Sequence, residues 1–290
     1  MQGLIIGNIA NLYKVKCNNV IYEALARGKF KKDNELKPVV GDIVEVDVIE
    51  GNNVVINKIL ERKTYIKRPK IANISQIIFV VSTKEPKPDL LMLDKQICYA
   101  ESLNIKPVIV LNKIDLSDVY EKIENTYKEA GYRVILTNAK DGIGISELKK
   151  ELKNKISAFS GNSGVGKSTI INALFNKEIT KEGEISLKNK KGKNTTTDIK
   201  LYELEENTYI ADTPGFSSFE IPEIESKDLD KYFIEFNKYI ENCEFIGCTH
   251  IKEQNCGIKK ALEEGKIDND RYERFCKIYS ELKEKEEHKW

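Results

Sequence analysis

The spacing of apolar residues changes along the chain and divides it into three parts. Residues 1–66 contain short alternating or clustered β-branched runs separated by turn signals, which predicts strands. Residues 67–220 alternate strand patterns with helical ones, and this alternation predicts a doubly wound α/β domain. Residues 221–290 are mostly helical in pattern, with one helix predicted over 229–240. We therefore predict a multidomain protein with an N-terminal β-barrel, a central α/β domain and a C-terminal, mostly α-helical domain.

Several short strands in the first part favour a small closed barrel of the OB-fold type. The predicted strands are 4–6, 20–22, 42–48 and 53–56, and residues 62–69 are interpreted as a linker. Residues 1–70 hold 13 Lys and Arg against 8 Asp and Glu, 71–220 are balanced, and 221–290 hold 13 against 17. Cations surround Phe30 in the run 27–34, which suits the phosphate backbone of a nucleic acid with a stacked base; a solvated loop is the alternative.

In the central part, a strand pattern at 156–159 leads into a glycine-rich run, and a helical pattern follows it. This context predicts a P-loop, whose backbone N–H groups surround phosphate oxygens; an ordinary glycine-rich turn is the alternative. Lys167 is expected to reach the β- and γ-phosphates, and the Ser168 hydroxyl to bind the Mg²⁺ that accompanies a nucleoside triphosphate. The residues assigned to nucleotide binding here are Gly161, Asn162, Ser163, Gly164, Val165, Gly166, Lys167, Ser168 and Thr169.

The base is predicted from Asn112-Lys113-Ile114-Asp115, which follows the strand pattern 106–111. Open α/β sheets bind ligands at the carboxyl ends of their strands. The Asp115 carboxylate can accept the N1–H and N2–H of guanine, donors that adenine lacks on that edge. Asn112 and Lys113 are expected to hold the loop and cover the purine. Asn138 and Ala139 follow the next strand pattern, and the Ala139 N–H is expected at the guanine O6.

Two later segments are expected to sense the γ-phosphate. Either Thr196 or Thr197 is predicted to ligate Mg²⁺. Asp212 follows the strand pattern 208–211 and is predicted to hold a magnesium-bound water, while the Gly215 N–H meets the γ-phosphate. Because the guanine-reading motif precedes the P-loop, we interpret residues 67–220 as a circularly permuted GTPase domain.

The C-terminal part contains potential metal ligands spaced C-x₄-C-x-H-x₅-C, namely Cys243, Cys248, His250 and Cys256. Three sulfurs and one imidazole form a complete tetrahedral set, which predicts one structural zinc ion and not a catalytic one. Disulfides are the poorer alternative in a cytoplasmic protein. The remaining cysteines are interpreted as buried or incidental thiols: Cys17, Cys98 and Cys276.

Together these features resemble the ribosome small-subunit-dependent GTPase A (RsgA) family. The resemblance rests on the basic barrel, on the motifs NKID, TNA, GNSGVGKS, TTT and DTPG in that order, and on the cysteine–histidine segment. It covers essentially the whole chain. It implies a barrel, GTPase and zinc-domain architecture, binding to the small ribosomal subunit through ribosomal RNA, a role in late maturation of that subunit, and GTP hydrolysis stimulated by it.

The residue that orients the attacking water is not evident from the sequence. Phe216 stands where Ras-like enzymes carry glutamine. Family members often carry a histidine before the threonine triplet that is implicated in hydrolysis, whereas this chain has Asn194. Because Asn194 can position a water but cannot act as a base, we expect slow intrinsic turnover.

Two other functions stay open at this point. The first is a GTP-gated RNA- or ribosome-binding module in which hydrolysis is only a reset step. The second is a P-loop ATPase with a zinc interaction domain, which requires a structural role for Asp115.

Length and hydropathy limit the number of domains and argue against a membrane-spanning segment. The chain has 290 residues, 40% of them hydrophobic, which suits about two domains with real cores. No apolar run approaches the roughly 18 residues of a membrane span, and the N-terminus lacks the pattern of a signal peptide. We expect a cytoplasmic monomer that binds GTP and GDP and has no membrane partner.

Overall fold

The structure is a computed structural model that describes residues 1–9, 11–31, 36–50, 53–176, 199–212 and 224–288. Its strands are β1 Gln2–Ile9, β2 Leu12–Cys17, β3 Val20–Ala26, β4 Ile43–Glu50, β5 Asn53–Ile59, β6 Tyr65–Lys67, β7 Lys70–Ala72, β8 Gln76–Ser82, β9 Lys106–Asn112, β10 Arg133–Thr137, β11 Ile156–Ser160, β12 Lys200–Glu205 and β13 Thr208–Asp212. Its α-helices are α1 Leu90–Ser102, α2 Val119–Glu129, α3 Ile145–Leu152, α4 Lys167–Phe175, α5 Gly257–Glu263 and α6 Asn269–Glu287. None of these helices is long and apolar enough to cross a membrane.

The chain forms two compact units, and the first contains Met1–Ile78, Ala139–Ser160 and Lys167–Ser217. Within it, β1 to β5 close a ring in the order β1-β2-β3-β5-β4, and β4 returns to β1. Only the β3–β5 pair is parallel. Inward residues such as Ile5, Val15 and Ile56 are fully buried and form the core of the ring. This closed five-stranded barrel is the OB-like domain that the sequence predicts.

Two parts of the barrel region differ from the sequence prediction. Strand β2 was not predicted, although Tyr13, Val15 and Cys17 alternate as buried residues along it. The predicted linker 62–69 is instead partly a hairpin, because β6 pairs with β7. Arg62 is not a free linker residue either: its Nε donates to the buried Asp42 carboxylate at 2.7 Å. Arg62 therefore forms a buried ion pair with Asp42, which precedes β4.

The barrel continues into the strands that carry the predicted phosphate-sensing residues. Strand β1 pairs with β12 at Gly7 and Lys200. Strand β12 is antiparallel to β13, and β13 is parallel to β11. Lys16 of the barrel forms a salt bridge to Glu203 of β12. Hydrogen bonds therefore connect the barrel directly to the pair of strands that ends at Asp212.

The second unit contains Phe79–Asn138, Gly161–Gly166 and Ser218–Trp290. Strand β9 is parallel to β10. The C-terminal segment packs an apolar core around Phe233, Phe236 and Phe275, with ring centroids 4.9 to 5.4 Å apart. Cys98 of α1 also belongs to this core. The C-terminal helices and α1 therefore share one core.

Buried charges join α6 to α1 in the same unit. Arg271 Nη1 lies 2.5 Å from Asp94 Oδ1, and Arg274 Nε lies 2.5 Å from Asp94 Oδ2. Arg271 also donates to the Glu235 carboxylate, and Tyr127 donates its hydroxyl hydrogen to Asp94 at 2.6 Å. Burial alone would lower the pKa of Arg271, but the two carboxylates hold that pKa well above its usual value. These side chains form a buried ionic cluster in which both carboxylates contact an arginine, although Arg274 Nη2 has no hydrogen-bond partner among the described residues.

The segment between 224 and the cysteines differs from the single helix predicted over 229–240. It consists of three short 3₁₀ helices: Ser226–Tyr232, Ile234–Lys238 and Ile240–Asn242. Phe233 separates the first two with φ −101° and ψ 84°, outside the helical region. This break allows Phe233 and Phe236 both to pack against Phe275, with ring centroids 5.1 and 4.9 Å from it. Aromatic packing therefore overrides the helical periodicity.

Candidate functional site

The glycine loop 161–166 follows β11 and has the backbone that its sequence requires. Gly161, Gly164 and Gly166 have φ of +142°, +81° and +101°. A Cβ at Gly161 would lie 2.3 Å from the Val80 carbonyl oxygen, and one at Gly166 would lie 2.2 Å from Asn112 Nδ2. Side chains are therefore excluded at both ends of the loop by close neighbours as well as by backbone conformation.

Asn112 ties the predicted guanine motif to this loop. It is buried at the end of β9, opposite Thr137 at the end of β10. Its Nδ2 donates to the Val165 carbonyl oxygen at 2.9 Å, and its Oδ1 accepts from Thr137 Oγ1 at 3.0 Å. Both ends of the amide are thus oriented, and Thr137 is a supporting residue to which the sequence analysis assigned no role.

Lys113 makes the second connection between the motif and the loop. Its backbone is left-handed, with φ +63°, and its Nζ donates to the Gly164 carbonyl at 2.8 Å and to that of Glu85. Thr83 supports it by donating from Oγ1 to the Lys113 carbonyl at 2.6 Å. The Lys113 ammonium group is therefore anchored beside the loop, and no sequence motif indicates the contacts with Thr83 and Glu85.

The other residues assigned to guanine binding lie at the ends of strands. Asp115 lies in a one-turn 3₁₀ helix, Ile114–Leu116, directly after β9, and it is exposed. Asn138 and Ala139 follow β10 directly and are buried. A carboxylate open to solvent at a strand end can accept hydrogen bonds from a ligand without breaking an internal bond.

Helix α4 begins at Lys167, the residue after the glycine loop, and also contains Ser168 and Thr169. Burial lowers the pKa of the Lys167 ammonium group, so an anion beside it would be favourable. Asp212 is the last residue of β13 and pairs in register with Lys200. The other predicted residues lie outside the described ranges: Asn194, Thr196, Thr197 and Gly215.

The four potential metal ligands lie together, with their donor atoms all within 4.8 Å of one another. Cys243 Sγ is 3.6 Å from His250 Nδ1 and 4.0 Å from Cys256 Sγ, and His250 Nδ1 is 3.3 Å from Cys256 Sγ. Tetrahedral zinc with Zn–S of about 2.3 Å and Zn–N of about 2.0 Å spaces its ligand atoms about 3.5 to 3.8 Å apart. The cluster, completed by Cys248, therefore fits a zinc ion.

Neighbouring groups orient His250 for this role. Its Nδ1 faces the sulfurs, and its Nε2 lies 3.4 Å from Asp230 Oδ2. A carboxylate on the far nitrogen fixes the ring and its tautomer in many histidine metal sites. Tyr272 of α6 donates its hydroxyl hydrogen to the His250 carbonyl at 2.6 Å, and the Gly257 N–H lies 3.3 Å from Cys243 Sγ.

Glu253 organises the loop around His250. Its carboxylate accepts from the Thr249 N–H at 2.9 Å, the Thr249 hydroxyl at 2.7 Å, and the N–H groups of Ile251 and Lys252 at 3.1 Å each. Although partial burial opposes the charge, these bonds lower the pKa of Glu253 to about 2. The residue is not a metal ligand, so ligand spacing alone did not identify it.

Two protein-family models match the chain: the RsgA N-terminal domain over residues 2–56 and the RsgA GTPase over residues 59–222. The small ribosomal subunit biogenesis GTPase RsgA of Ruminiclostridium cellulolyticum is 43% identical over 97% of this chain and 94% of its own length. The protein of the same name from Caldanaerobacter subterraneus is 41% identical over 100% of this chain and 98% of its own.

Solved structures agree with these matches. YjeQ from Thermotoga maritima has a TM-score of 0.85 and 37% identity, covering 97% of this chain and 98% of its own. YloQ, described as a circularly permuted GTPase, has a TM-score of 0.82 and 28% identity, covering 98% and 95%. The predicted fold class of barrel, permuted GTPase domain and helical C-terminal domain is confirmed. With a family model that spans more than half of it and full-length relatives above 40% identity, the chain belongs to the RsgA GTPase family.

Proposed function

We propose that the protein hydrolyses GTP when it is bound to the small ribosomal subunit and acts in late maturation of that subunit. The observation that carries this proposal is the pair of hydrogen bonds from Asn112 and Lys113 to the carbonyl groups of Val165 and Gly164. They fix a base-reading motif against a phosphate loop, in a chain whose relatives are named for small-subunit biogenesis.

Guanine selectivity is assigned to Asp115. Its carboxylate accepts the N1–H and N2–H of the base, while the Ala139 N–H meets O6 beside Asn138. Asp115→Asn replaces one acceptor with a donor, so affinity should move from guanine toward xanthine nucleotides. Competition of labelled GTP by GDP, XDP and ATP measures this shift. Equal inhibition of the wild type by GDP and ATP would instead support an ATPase.

Phosphate chemistry is assigned to Lys167, the loop N–H groups and the two later segments. Lys167 stabilises negative charge on the β- and γ-phosphates. Ser168 and either Thr196 or Thr197 would hold Mg²⁺, and Asp212 would hold a magnesium-bound water. The bound ion would neutralise charge that develops in transfer of the γ-phosphoryl group to water. Gly215 contributes an N–H to the γ-phosphate, and Asn194 is the candidate for positioning the attacking water.

We further propose that the cluster of Cys243, Cys248, His250 and Cys256 holds one structural zinc ion. The donor spacing and the orientation of His250 by Asp230 support it. A zinc ion bound there would cross-link the loop, and its four protein ligands would leave no coordination position open for catalysis.

Ribosomal RNA is the proposed ligand of the barrel, in a protein that works as a cytoplasmic monomer. Support comes from the excess of cations in residues 1–70. Arg27, Lys37 and Lys70 are exposed or partly exposed there. Barrels of this type bind single strands through cationic grooves. We assign RNA binding to a domain of residues 1–66, GTP binding to residues 67–220 and zinc binding to residues 221–290.

The test is GTP turnover by zinc-loaded protein alone and with isolated small subunits, large subunits or free RNA, with Lys167→Ala as the blank. Slow intrinsic turnover and a large stimulation by small subunits only are expected. Equal, slow turnover in every mixture would replace the subunit-triggered enzyme with a GTP-gated binding module.

A further inference from the structure

The loop between Cys243 and Cys248 carries two apolar side chains into solvent. Phe245 is 56% exposed, and Ile246 is as accessible as in an extended peptide, at 108%. Single exposed apolar residues are common, whereas contiguous exposed apolar surface can mark an interaction site. The packing of the described residues gives this pair no core to fill.

The tip is held rigidly from both sides. Its flanks are two members of the proposed zinc cluster. The Glu244 N–H donates to the Asn255 carbonyl at 3.1 Å, and Asn255 Nδ2 donates to the Glu244 carboxylate at 2.6 Å. The Cys248 N–H lies 3.3 Å from the Phe245 carbonyl oxygen. A partner that binds a fixed loop loses little conformational entropy, so the two side chains are suited to anchor an interface.

Charge indicates the kind of partner. Residues 239–251 contain no Lys or Arg and include Glu241 and Glu244, and residues 221–290 carry a net charge of −4. The cavity that Glu244 lines has more glutamates than lysines: Glu241, Glu244, Glu253 and Glu263 against Lys259 and Lys260. Contacts to nucleic-acid phosphates are made mainly by cations, which are outnumbered here. An apolar tip in acidic surroundings instead complements a basic protein surface that contains an apolar cleft.

We propose that Phe245 and Ile246 insert into an apolar cleft of a basic protein of the small ribosomal subunit. This inference rests on the proposed function, because it presumes that the subunit is the partner. It adds a protein-recognition element in the zinc segment to the RNA contact assigned to the barrel.

The test compares the wild type with Phe245→Ser/Ile246→Ser, using Phe245→Leu/Ile246→Val as the matched control that keeps the tip apolar. Zinc content and GTP affinity are measured first to establish that each variant is folded. Binding is then measured to intact small subunits and to ribosomal RNA extracted from the same subunits, at the same salt concentration. The serine variant is expected to bind intact subunits at least about tenfold more weakly, as for loss of an interface anchor. Its binding to the extracted RNA, and the behaviour of the control, should match the wild type.

Each other outcome has a distinct meaning. Equal binding of the serine variant and the wild type to intact subunits would overturn the proposal. An equal loss on subunits and on extracted RNA would also overturn it, because the tip would then be an RNA contact. Failure of the wild type itself to bind small subunits would reject the proposed function, and the inference with it. A serine variant that has lost zinc is replaced by Phe245→Leu/Ile246→Ser, to which the same criteria apply.

Discussion

Removing Arg271 tests whether the buried ionic cluster fastens the C-terminal segment to α1. The guanidinium is 1% exposed, contacts Asp94 and Glu235, and lies 4.7 to 5.2 Å from three aromatic ring centroids. Arg271→Met keeps much of the side-chain volume but removes the cation that contacts the buried carboxylates of Asp94 and Glu235. Breaking a buried pair from one side costs about 3 to 5 kcal/mol. Since Asp94 retains Arg274 and Tyr127, the lower end of that range is expected.

Hydrogen exchange of the α6 amides is the direct assay. A loss of about 3 kcal/mol in local stability should speed exchange by roughly two orders of magnitude. Lys122→Met is the matched control, because it removes a cation from a pair with Asp270 whose side chains are 71% and 55% exposed. It should change exchange little. Arg271→Lys keeps the charge without the planar fork and should fall between the two. Exchange in Arg271→Met that equals the control would refute the idea that the cluster fastens the segment.

Three further predictions concern the two sites. Gly166→Ala should weaken GTP binding at least about tenfold, because its Cβ would meet an Asn112 amide held at both ends. Gly142→Ala is the control, because Gly142 also has a positive φ, +75°, but its Cβ would enter open space. Equal GTP affinities of the two variants in a nucleotide titration would contradict the clash. Glu253→Gln should lower zinc affinity about 10- to 100-fold in chelator competition, because it weakens the hydrogen bonds that shape the loop around His250; unchanged affinity would show that the loop is shaped by other contacts. Removal of zinc should turn the peptide bond after Lys252 into a rapid trypsin site by mass spectrometry, and persistent resistance would argue against a structural metal.

The sequence predicted those features that depend on local spacing. The glycine loop, the strand ends that carry Asn112 and Asn138, and the cysteine–histidine cluster all follow from short motifs with fixed spacing. The chemistry of each motif requires these residue types at this spacing, so a motif can be recognised without knowledge of the rest of the fold.

The features that the sequence did not reveal depend on contacts between distant residues. Asp42 lies 20 residues from Arg62, and Asp94 lies 177 residues from Arg271. Neither partner is marked by its own neighbours along the chain. The 3₁₀ helices around Phe233 likewise result from packing against α6. The periodicity of the local sequence does not indicate this packing. Glu253 is only three residues from His250, but nothing in a ligand motif requires it.

The contact between the barrel and β12 affects how this protein can be dissected. A fragment that begins after residue 66 would lose the Gly7–Lys200 strand pairing and the Lys16–Glu203 salt bridge on β12. The loss would lengthen the unpaired edge of β12, and such an edge is a template for pairing with another copy. Loss of activity in such a truncation would therefore say little about RNA recognition. Point substitutions on the outer surface of an intact barrel separate the two effects.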